Sequence, residues 1–260
     1  MHNPIADLAS ARILISNDDG IDAPGIKVLE EVAHSLSDDV WVVAPESEQS
    51  AVAHSLTIRR PLRIRKLAER RYTVDGTPTD SVLLGVRQLL RDKKPDLVLS
   101  GINRGSNLGD DVTYSGTVAA AMEGALLGIP SIALSQHIAS DGPVKWETAK
   151  AWAPDIIRRL AAAGWAANVL MNVNFPDLPA DQVKGVAMAS QGKRKIGDEL
   201  VERIDPRGQR YYWIGGQRTE DPGLAGTDLE AVYQGRVAVT PLGADLTHQA
   251  SLAKMAAFFS

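Results

Sequence analysis

Residues 13–26, "ILISNDDGIDAPGI", begin as an apolar strand and then place two carboxylates side by side, Asp18 and Asp19. Successive strand residues point to opposite faces, so both carboxylates reach one ligand only if the chain turns there. Gly20 follows them and permits such a turn, because it tolerates backbone angles that other residues avoid. Either a cation lies between the two carboxylates, or Asp19 or Asp22 caps the helix that follows.

Apolar runs alternate with helical patterns along the rest of the chain. Strands are predicted at 12–16, 40–45, 96–100, 131–135, 168–174 and 235–242, and helices at 24–36, 78–91, 115–128, 146–163 and 249–259. Near-continuous apolar strands indicate a parallel sheet that is covered on both faces. Strand–helix alternation implies right-handed crossovers, so we expect an α/β fold with a doubly wound, Rossmann-like, mainly parallel sheet.

Two segments depart from this alternation. Residues 56–67 alternate apolar and polar side chains and, with "RYTVDG" after them, predict a half-exposed hairpin added to the sheet. Residues 191–216 are rich in charge, Gly and β-formers and predict an antiparallel arm with little core of its own. We therefore expect an α/β core over 1–185. Residues 186–260 are expected to supply the arm, a returning strand and a terminal helix, packed on the core or on a partner subunit within one continuous domain.

The composition is that of an ordinary globular protein, with 44% hydrophobic and 23% charged residues. A net charge of −4 argues against a general nucleic-acid binder. The lack of cysteine excludes disulfides, thiolate metal sites and cysteine nucleophiles, and it fits a cytoplasmic protein. The N-terminus lacks the pattern of a signal peptide, and the longest apolar stretch, 117–134, is interrupted. We expect a soluble, cytoplasmic protein with neither a membrane nor duplex nucleic acid as partner.

Polar residues follow three of the predicted strands, at the sheet edge where ligands bind in open α/β folds. These residues are Asn17, Asp18 and Asp19 after the first strand, Ser47, Gln49 and Ser50 after the second, and Ser100, Asn103 and Asn107 after the third. Carboxylate, hydroxyl and amide oxygens suit a hard cation such as Mg²⁺, Mn²⁺ or Ca²⁺. The shared position favours a metal site over a capped strand end.

The stretch "YSGTVAAAMEGALLG" at 114–128 predicts a second binding element. Its Ser-Gly-Thr turn opens a helix, and the unpaired N–H groups at a helix N-terminus bind phosphate. Ser115 or Thr117 could equally be a plain N-cap. Gly116 favours the phosphate interpretation, because it lets a ligand approach the backbone closely.

Other polar patterns favour structural roles. "DGTPTDSV" at 75–82 is typical of a capped helix start. We interpret His54 as a hydrogen-bonded loop residue, and Asp110 and Asp111 as loop charges or partners of site residues. The run 191–195, "QGKRK", predicts a solvated turn, with contact to an anionic substrate as the alternative.

Four ordered blocks carry a family resemblance: 13–26, "VVAPESEQSAVAHSLT" at 42–57, "VDGTPTDSV" at 74–82, and "PDLVLSGINRGSNLGDDVTYSGTVAAAMEGALLGIPSIALS" at 95–135. Together with "TDLEAVYQGRVAVTPLGADLT" near the C-terminus, they resemble the SurE family of metal-dependent 5′/3′-nucleotidases, also called survival protein E. The first eleven residues precede the family's usual start. Residues 135–149 differ from its commoner sequence, in a region expected to contact the nucleoside.

The resemblance implies one divalent ion per subunit, Mg²⁺ or Mn²⁺, with Ca²⁺ able to replace it in crystals. The implied metal ligands are Asp18, Asp19, Ser50 and Asn103. The implied substrate-binding residues are Asn103, Ser115, Gly116 and Thr117. The implied reaction is hydrolysis of nucleoside 5′-monophosphates, with 3′ esters and polyphosphate left open as further substrates. The family also implies a homodimer or homotetramer that exchanges its C-terminal arm.

On this basis we expect catalysis by a metal-activated water, with Asp18, Asp19 and Asn103 as catalytic residues. Asn103 and the amides near Gly116 and Thr117 would stabilise the phosphoryl oxygens. A phosphatase that forms an aspartyl-phosphate needs two aspartates separated by one residue, and these are adjacent. The other alternative is a non-catalytic nucleotide-binding regulator.

Overall fold

Strands and helices alternate along most of the chain in the computed structural model, which describes residues 2–139, 142–196, 200–214, 218–221, 224–256 and 258–259. The strands are β1 (Arg12–Ser16), β2 (Asp39–Pro45), β3 (Ile64–Ala68), β4 (Arg71–Val74), β5 (Leu97–Arg104), β6 (Ser131–Gln136), β7 (Val169–Phe175), β8 (Val186–Met188), β9 (Arg194–Ile196), β10 (Leu200–Ile204), β11 (Arg210–Ile214), β12 (Arg218–Glu220) and β13 (Val237–Gly243). The α-helices are α1 (Pro24–His34), α2 (Pro78–Leu84), α3 (Gly116–Leu126), α4 (Trp146–Ala163), α5 (Asp228–Tyr233) and α6 (Gln249–Ala256).

One sheet carries most of these strands, in the order β3-β4-β2-β1-β5-β6-β7-β13-β8. In the sheet, the six neighbouring strands β4, β2, β1, β5, β6 and β7 run parallel to one another. β3 pairs with β4, and β13 with β7, in antiparallel fashion. After β1 the chain adds strands on one side, and at β5 it crosses to the other side. This confirms the doubly wound α/β prediction and places the reversal of winding, where such folds bind ligands, between β1 and β5.

β1 shows why both faces of the sheet are covered. Ile13 and Ile15 are buried on the face that packs against α1 and α4, whereas Leu14 is buried on the opposite face against α2. Strand side chains alternate between faces, so an unbroken apolar run has both faces buried. Each such side chain contributes about 1.5–3 kcal/mol by leaving water.

The helix predicted at 78–91 is observed in two parts. α2 begins with the predicted capping box, in which Thr77 Oγ1 accepts the N–H of Asp80 and the Asp80 carboxylate accepts the N–H of Thr77. After α2 the chain widens into a π-helical turn (Gly85–Leu89), closed by the N–H of Leu90 donating to the Gly85 carbonyl. A Cβ on Gly85 would lie 3.3 Å from the Leu14 side chain, so the turn packs closely on β1.

The segments beyond residue 185 divide between the sheet and the arm. β13 lies between β7 and β8 in the sheet, and sequence patterns did not predict β8. In the arm, β9 pairs with β12 and β10 with β11, both antiparallel. Residues 197–199 and 215–216 of the predicted arm, and residue 257 of the predicted terminal helix, lie outside the described residues. Among the described helices, none has both the length and the apolar character required to cross a membrane.

Candidate active site

A cavity of about 930 Å³ opens at the carboxyl ends of β1, β2 and β5. The predicted site residues in its lining are Asp18, Asp19, Ser50, Asn103 and Ser115. The other two, Gly116 and Thr117, lie directly behind Asp18 and are buried. The structure therefore brings the predicted residues to one place at the winding reversal of the sheet.

The turn after β1 brings both aspartates to the cavity. Gly20 adopts φ +95°, a left-handed conformation that favours glycine, and Asn17 Nδ2 donates to its carbonyl oxygen at 2.8 Å. Asp18 is 5% exposed, and Asp19 is half-buried. The alternative that an aspartate caps α1 is wrong, because the N-cap residue is Ala23 and no side chain caps that helix.

Asp18 is held tightly against α3. Thr117 Oγ1 donates to Asp18 Oδ1 at 2.5 Å, and a Cβ on Gly116 would lie 2.6 Å from the Asp18 Cβ. Burial raises the pKa of Asp18 to about 6; the Thr117 hydrogen bond lowers it, and the charge of Asp19 raises it. The carboxylate is thus fixed in orientation but lies in surroundings that disfavour its charge.

Asp19 shares this electrostatic environment. Burial raises the pKa of Asp19, the backbone N–H of Arg104 lowers it by donating to Oδ2 at 3.2 Å, and the charge of Glu48 raises it. Two neighbouring carboxylates with raised pKa values are stabilised in their charged form by a cation placed between them. The pair therefore fits a bound metal ion.

β5 reaches the cavity because it continues past its predicted end at residue 100. Its register with β6 shifts between Ser100 and Asn103, and Gly101 lies in this irregular stretch. A Cβ on Gly101 would lie 2.3 Å from the Leu134 carbonyl oxygen, so only glycine fits the approach of the two strands. The irregular stretch allows the strand to continue to Arg104 and to present Asn103 to the cavity.

The donor atoms in the lining suit a hard divalent cation. Asn103 Nδ2 donates to the Gly105 carbonyl at 2.9 Å, which leaves the amide oxygen as a ligand atom. Ser50 Oγ donates to Glu48 Oε1 at 2.7 Å. Carboxylate, hydroxyl and amide oxygens are the ligands that Mg²⁺ and Mn²⁺ prefer. Because the described residues hold no cluster of three or more His, Cys, Asp or Glu side chains able to bind a metal, the fit depends on this mixed set.

Ser115 is both the N-cap of α3 and a residue of the cavity, the two roles that the sequence left open. Its Oγ accepts the N–H of Val118 at 3.0 Å, so it is the N-cap of α3, and it also lines the cavity. The Thr117 hydroxyl donates to Asp18. Thr117 can therefore contact a phosphate only through its backbone N–H at the start of α3. The predicted loop role of His54 is confirmed, with its Nε2 lying 2.9 Å from Glu123 Oε2.

Sequence reasoning missed part of the cavity wall. The further lining residues include Glu48, Arg104, Tyr114 and Trp146; Lys195 also lines the cavity, as the alternative for 191–195 required. The prediction of a solvated turn at 191–195 is wrong for Arg194, which is 3% exposed because it pairs with Asp111 at 2.6 Å. The complementary charges of "KRK" and "DD" were the only signal in the sequence for this contact.

The fold and the cavity define a class: a doubly wound α/β protein with an all-oxygen site at the winding reversal of its sheet. A family model described as "Survival protein SurE" matches residues 13–198. The chain belongs to the SurE family, and this membership implies a divalent metal ion.

Relatives and a solved structure match nearly the whole chain. The 5′-nucleotidase SurE of Paramagnetospirillum magneticum is 70% identical over 246 residues, which is 95% of each chain. That of Rhodospirillum rubrum is 56% identical over 250 residues, again 95% of each. The crystal structure of the SurE protein from Aquifex aeolicus is 44% identical, with a TM-score of 0.83 over 96% of this chain and 100% of that one.

Proposed function

We propose that this chain is a 5′-nucleotidase that hydrolyses nucleoside 5′-monophosphates to nucleoside and phosphate with the help of a bound divalent ion. The observation that carries the proposal is that Asp18, Asp19, Ser50, Asn103 and Ser115 all line one cavity. Its volume of about 930 Å³ lies within the usual range for small-molecule sites and leaves room for a nucleoside beside the phosphate. The names of the close relatives support the same activity.

We assign the ion, Mg²⁺ or Mn²⁺, to Asp18, Asp19, Ser50 and Asn103. When bound, such an ion offsets negative charge on the phosphoryl group and makes water more acidic. The chain holds the two carboxylates in place from two elements, since Asp18 accepts the Thr117 hydroxyl of α3 and Asp19 accepts an N–H of β5. One of these carboxylates would accept the proton of the attacking water. As the water oxygen bonds to phosphorus, the P–O bond to the ribose would break, and the departing alkoxide would take up that proton.

The substrate phosphate is assigned to the wall formed by Asn103 and the N-terminus of α3. The transition state of phosphoryl transfer spreads negative charge over three oxygens, and preorganised N–H donors stabilise that charge. Ser115 fixes the helix start by capping it, so the amides of Gly116 and Thr117 are held in place before substrate arrives. The proposal leaves 3′ esters and short polyphosphate as further substrates to be assayed.

The finer assignments of assembly and location belong to the proposal as well. We assign residues 1–185 to the catalytic core and 186–260 to an extension that packs on a partner in a homodimer or homotetramer. The exposed apolar side chains of β10 and β11 outside the cavity, among them Ile204, Tyr212 and Trp213, support this role of the arm. The absence of cysteine supports a cytoplasmic location.

Phosphate release from AMP and GMP, measured with Mn²⁺ or Mg²⁺ and again after EDTA, tests the proposal. We expect release that depends on the metal and stops in chelator. Asp18→Asn should lose ion affinity and activity together while the chain stays folded. Asp22→Asn is the matched control, because Asp22 is an exposed carboxylate of the same loop that does not line the cavity. Unchanged release in EDTA would rule out the metal, and nucleotide binding without release would favour the regulator.

A further inference from the structure

The base of the arm packs against one wall of the cavity. This wall is the segment 106–115, which runs from the end of β5 to the start of α3. Its members in the cavity lining are Ser106, Asn107, Asp111, Tyr114 and Ser115. Residues 191–195 of the arm contact it, and the proposed mechanism makes no use of that contact.

A single buried guanidinium joins the first residue of this wall to its middle. Arg194 donates to Asp111 Oδ2 through Nε at 2.9 Å and through Nη2 at 2.6 Å. The same Nη2 lies 3.1 Å from the Ser106 carbonyl oxygen and 3.0 Å from the Ser106 hydroxyl. Ser106 and Asp111 are five positions apart, so the rigid fork of one arginine fixes the curvature of the segment between them.

A second buried side chain reinforces the contact. Asp228, at the start of α5, accepts the N–H of Gly109 at 2.9 Å and the N–H of Gly192 at 2.8 Å, one from each segment. A Cβ on Gly109 would lie 2.7 Å from the backbone nitrogen of Arg194, so the two backbones are in close contact. The wall is therefore held from outside the sheet, by residues about 80 and 120 positions further along the chain.

A buried ion pair is weak evidence of a contribution to stability. Removing two charges from water costs several kcal/mol per ion, and well-packed apolar side chains of similar size often stabilise a fold as well or better. What the pair supplies instead is a fixed geometry, because a guanidinium and a carboxylate are both planar and bond in defined directions. That geometry is imposed on the segment that leads into Ser115.

We propose that Arg194 is a positioning residue of the nucleotidase site: through Asp111 and Ser106 it fixes the 106–115 wall without itself touching substrate. This inference rests on the proposed function. It couples the arm to catalysis, because the same strand that begins the arm holds the wall of the cavity.

The adjacent residues provide matched controls. Lys193 and Asp110 carry the same charges one position away, but Lys193 is exposed, Asp110 is only half-buried, and their charged atoms are 3.9 Å apart. We expect Arg194→Gln to lower kcat/KM for AMP about 10- to 100-fold, the range expected when catalytic groups shift by about 1 Å. Asp111→Asn should have a similar effect, and the double variant should be no worse than either single one. Lys193→Gln and Asp110→Asn should stay within about twofold of wild type.

Three further readouts separate positioning from a general loss of structure. Arg194→Lys should recover only part of the activity, because an ammonium ion can pair with Asp111 but lacks the fork that also reaches Ser106. The Mn²⁺ concentration for half-maximal activity should stay at its wild-type value, since Asp18 and Asp19 lie in the turn after β1, outside the wall. Amide hydrogen exchange across 106–115 should be faster in Arg194→Gln than in Lys193→Gln.

The proposal is wrong if Arg194→Gln folds and matches Lys193→Gln in both kcat/KM and amide exchange. It is also wrong if activity falls only in proportion to the unfolded fraction. If Arg194→Gln does not fold, Arg194→Lys and Asp111→Asn decide by the same criteria. If the wild-type protein releases no phosphate, the proposed function is wrong. The amide-exchange measurement would still test whether Arg194 fixes the wall.

Discussion

Replacing Gly116 with alanine tests whether the close approach of α3 to β1 sets the geometry of the site. The added Cβ would lie 2.6 Å from Asp18 Cβ, 2.9 Å from Oδ2 and 3.1 Å from Cγ. Carbon atoms in favourable contact are about 3.5–4.0 Å apart. Either α3 or the Asp18 side chain must therefore move by about 1 Å.

Two effects of opposite sign decide the outcome for stability. Alanine is a better helix former than glycine by about 1 kcal/mol in a helix interior, and by less at the first position of α3. Overpacking of a buried contact usually costs about 1–3 kcal/mol. The steric effect is the larger, so we expect the free energy of unfolding to fall by about 1–2 kcal/mol. A displacement of about 1 Å beside Asp18 should also lower kcat/KM about 10- to 100-fold.

The assay is steady-state AMP hydrolysis with Mn²⁺, together with thermal unfolding of the same preparation. Gly243→Ala is the matched control, because the nearest atom to a Cβ there is the Asp245 carbonyl oxygen at 3.9 Å. That variant should behave as wild type in both measurements. If Gly116→Ala also keeps the wild-type kcat/KM and melting temperature, the contact between α3 and Asp18 does not set the geometry of the site.

Two further changes probe single interactions. Thr117→Val keeps the shape of a buried side chain but removes the hydroxyl that donates to Asp18. It should lower the free energy of unfolding, measured by thermal unfolding, by about 1.5–3 kcal/mol and should also lower phosphate release. Thr117→Ser should keep the wild-type stability and phosphate release. Partial burial acts to raise the pKa of Asp39, but its hydrogen bond and charge pairing with Arg12 outweigh this and lower it below 3.8. We therefore expect Asp39→Asn to lower the free energy of unfolding, measured in urea at pH 7, by about 1 kcal/mol. This difference from wild type should shrink as the pH falls below 3.8, because the protonated acid loses its pairing with Arg12. An equal loss of stability at pH 7 and pH 3 would contradict this.

Local patterns predicted the elements whose signals lie within one stretch of sequence. The helix at 146–163 has the predicted bounds, and the start of α2 follows from Thr77 and Asp80, which are three positions apart. The location of the site was predictable for a different reason. In a parallel sheet the carboxyl ends of the strands meet at one edge, so residue types at strand ends indicate a shared site before any distance is known.

Features that depend on pairing across the chain were not predictable. Thr117 is 99 positions from Asp18, and no local pattern indicates that its hydroxyl donates to that carboxylate. Arg194 is 83 positions from Asp111, and a basic run in a polar segment is typical of a solvated turn unless a buried partner exists. β8 has three residues, too few for a periodic pattern, and it is a strand only because β13 pairs with it.

The aspartates that line the cavity differ in how their charge is compensated, and this separates their roles. Asp111 faces a buried guanidinium, so its charge is largely neutralised and it contributes little field to the cavity. Among the described residues, Asp18 and Asp19 accept hydrogen bonds from a hydroxyl and a backbone N–H but form no side-chain ion pair. The uncompensated negative charge of these aspartates is thus concentrated at the turn after β1, where a cation would bind, while Asp111 adds little charge to the 106–115 wall that leads to the proposed phosphate site. Cation affinity and phosphate binding should therefore respond to different substitutions, the first at β1 and the second at Arg194.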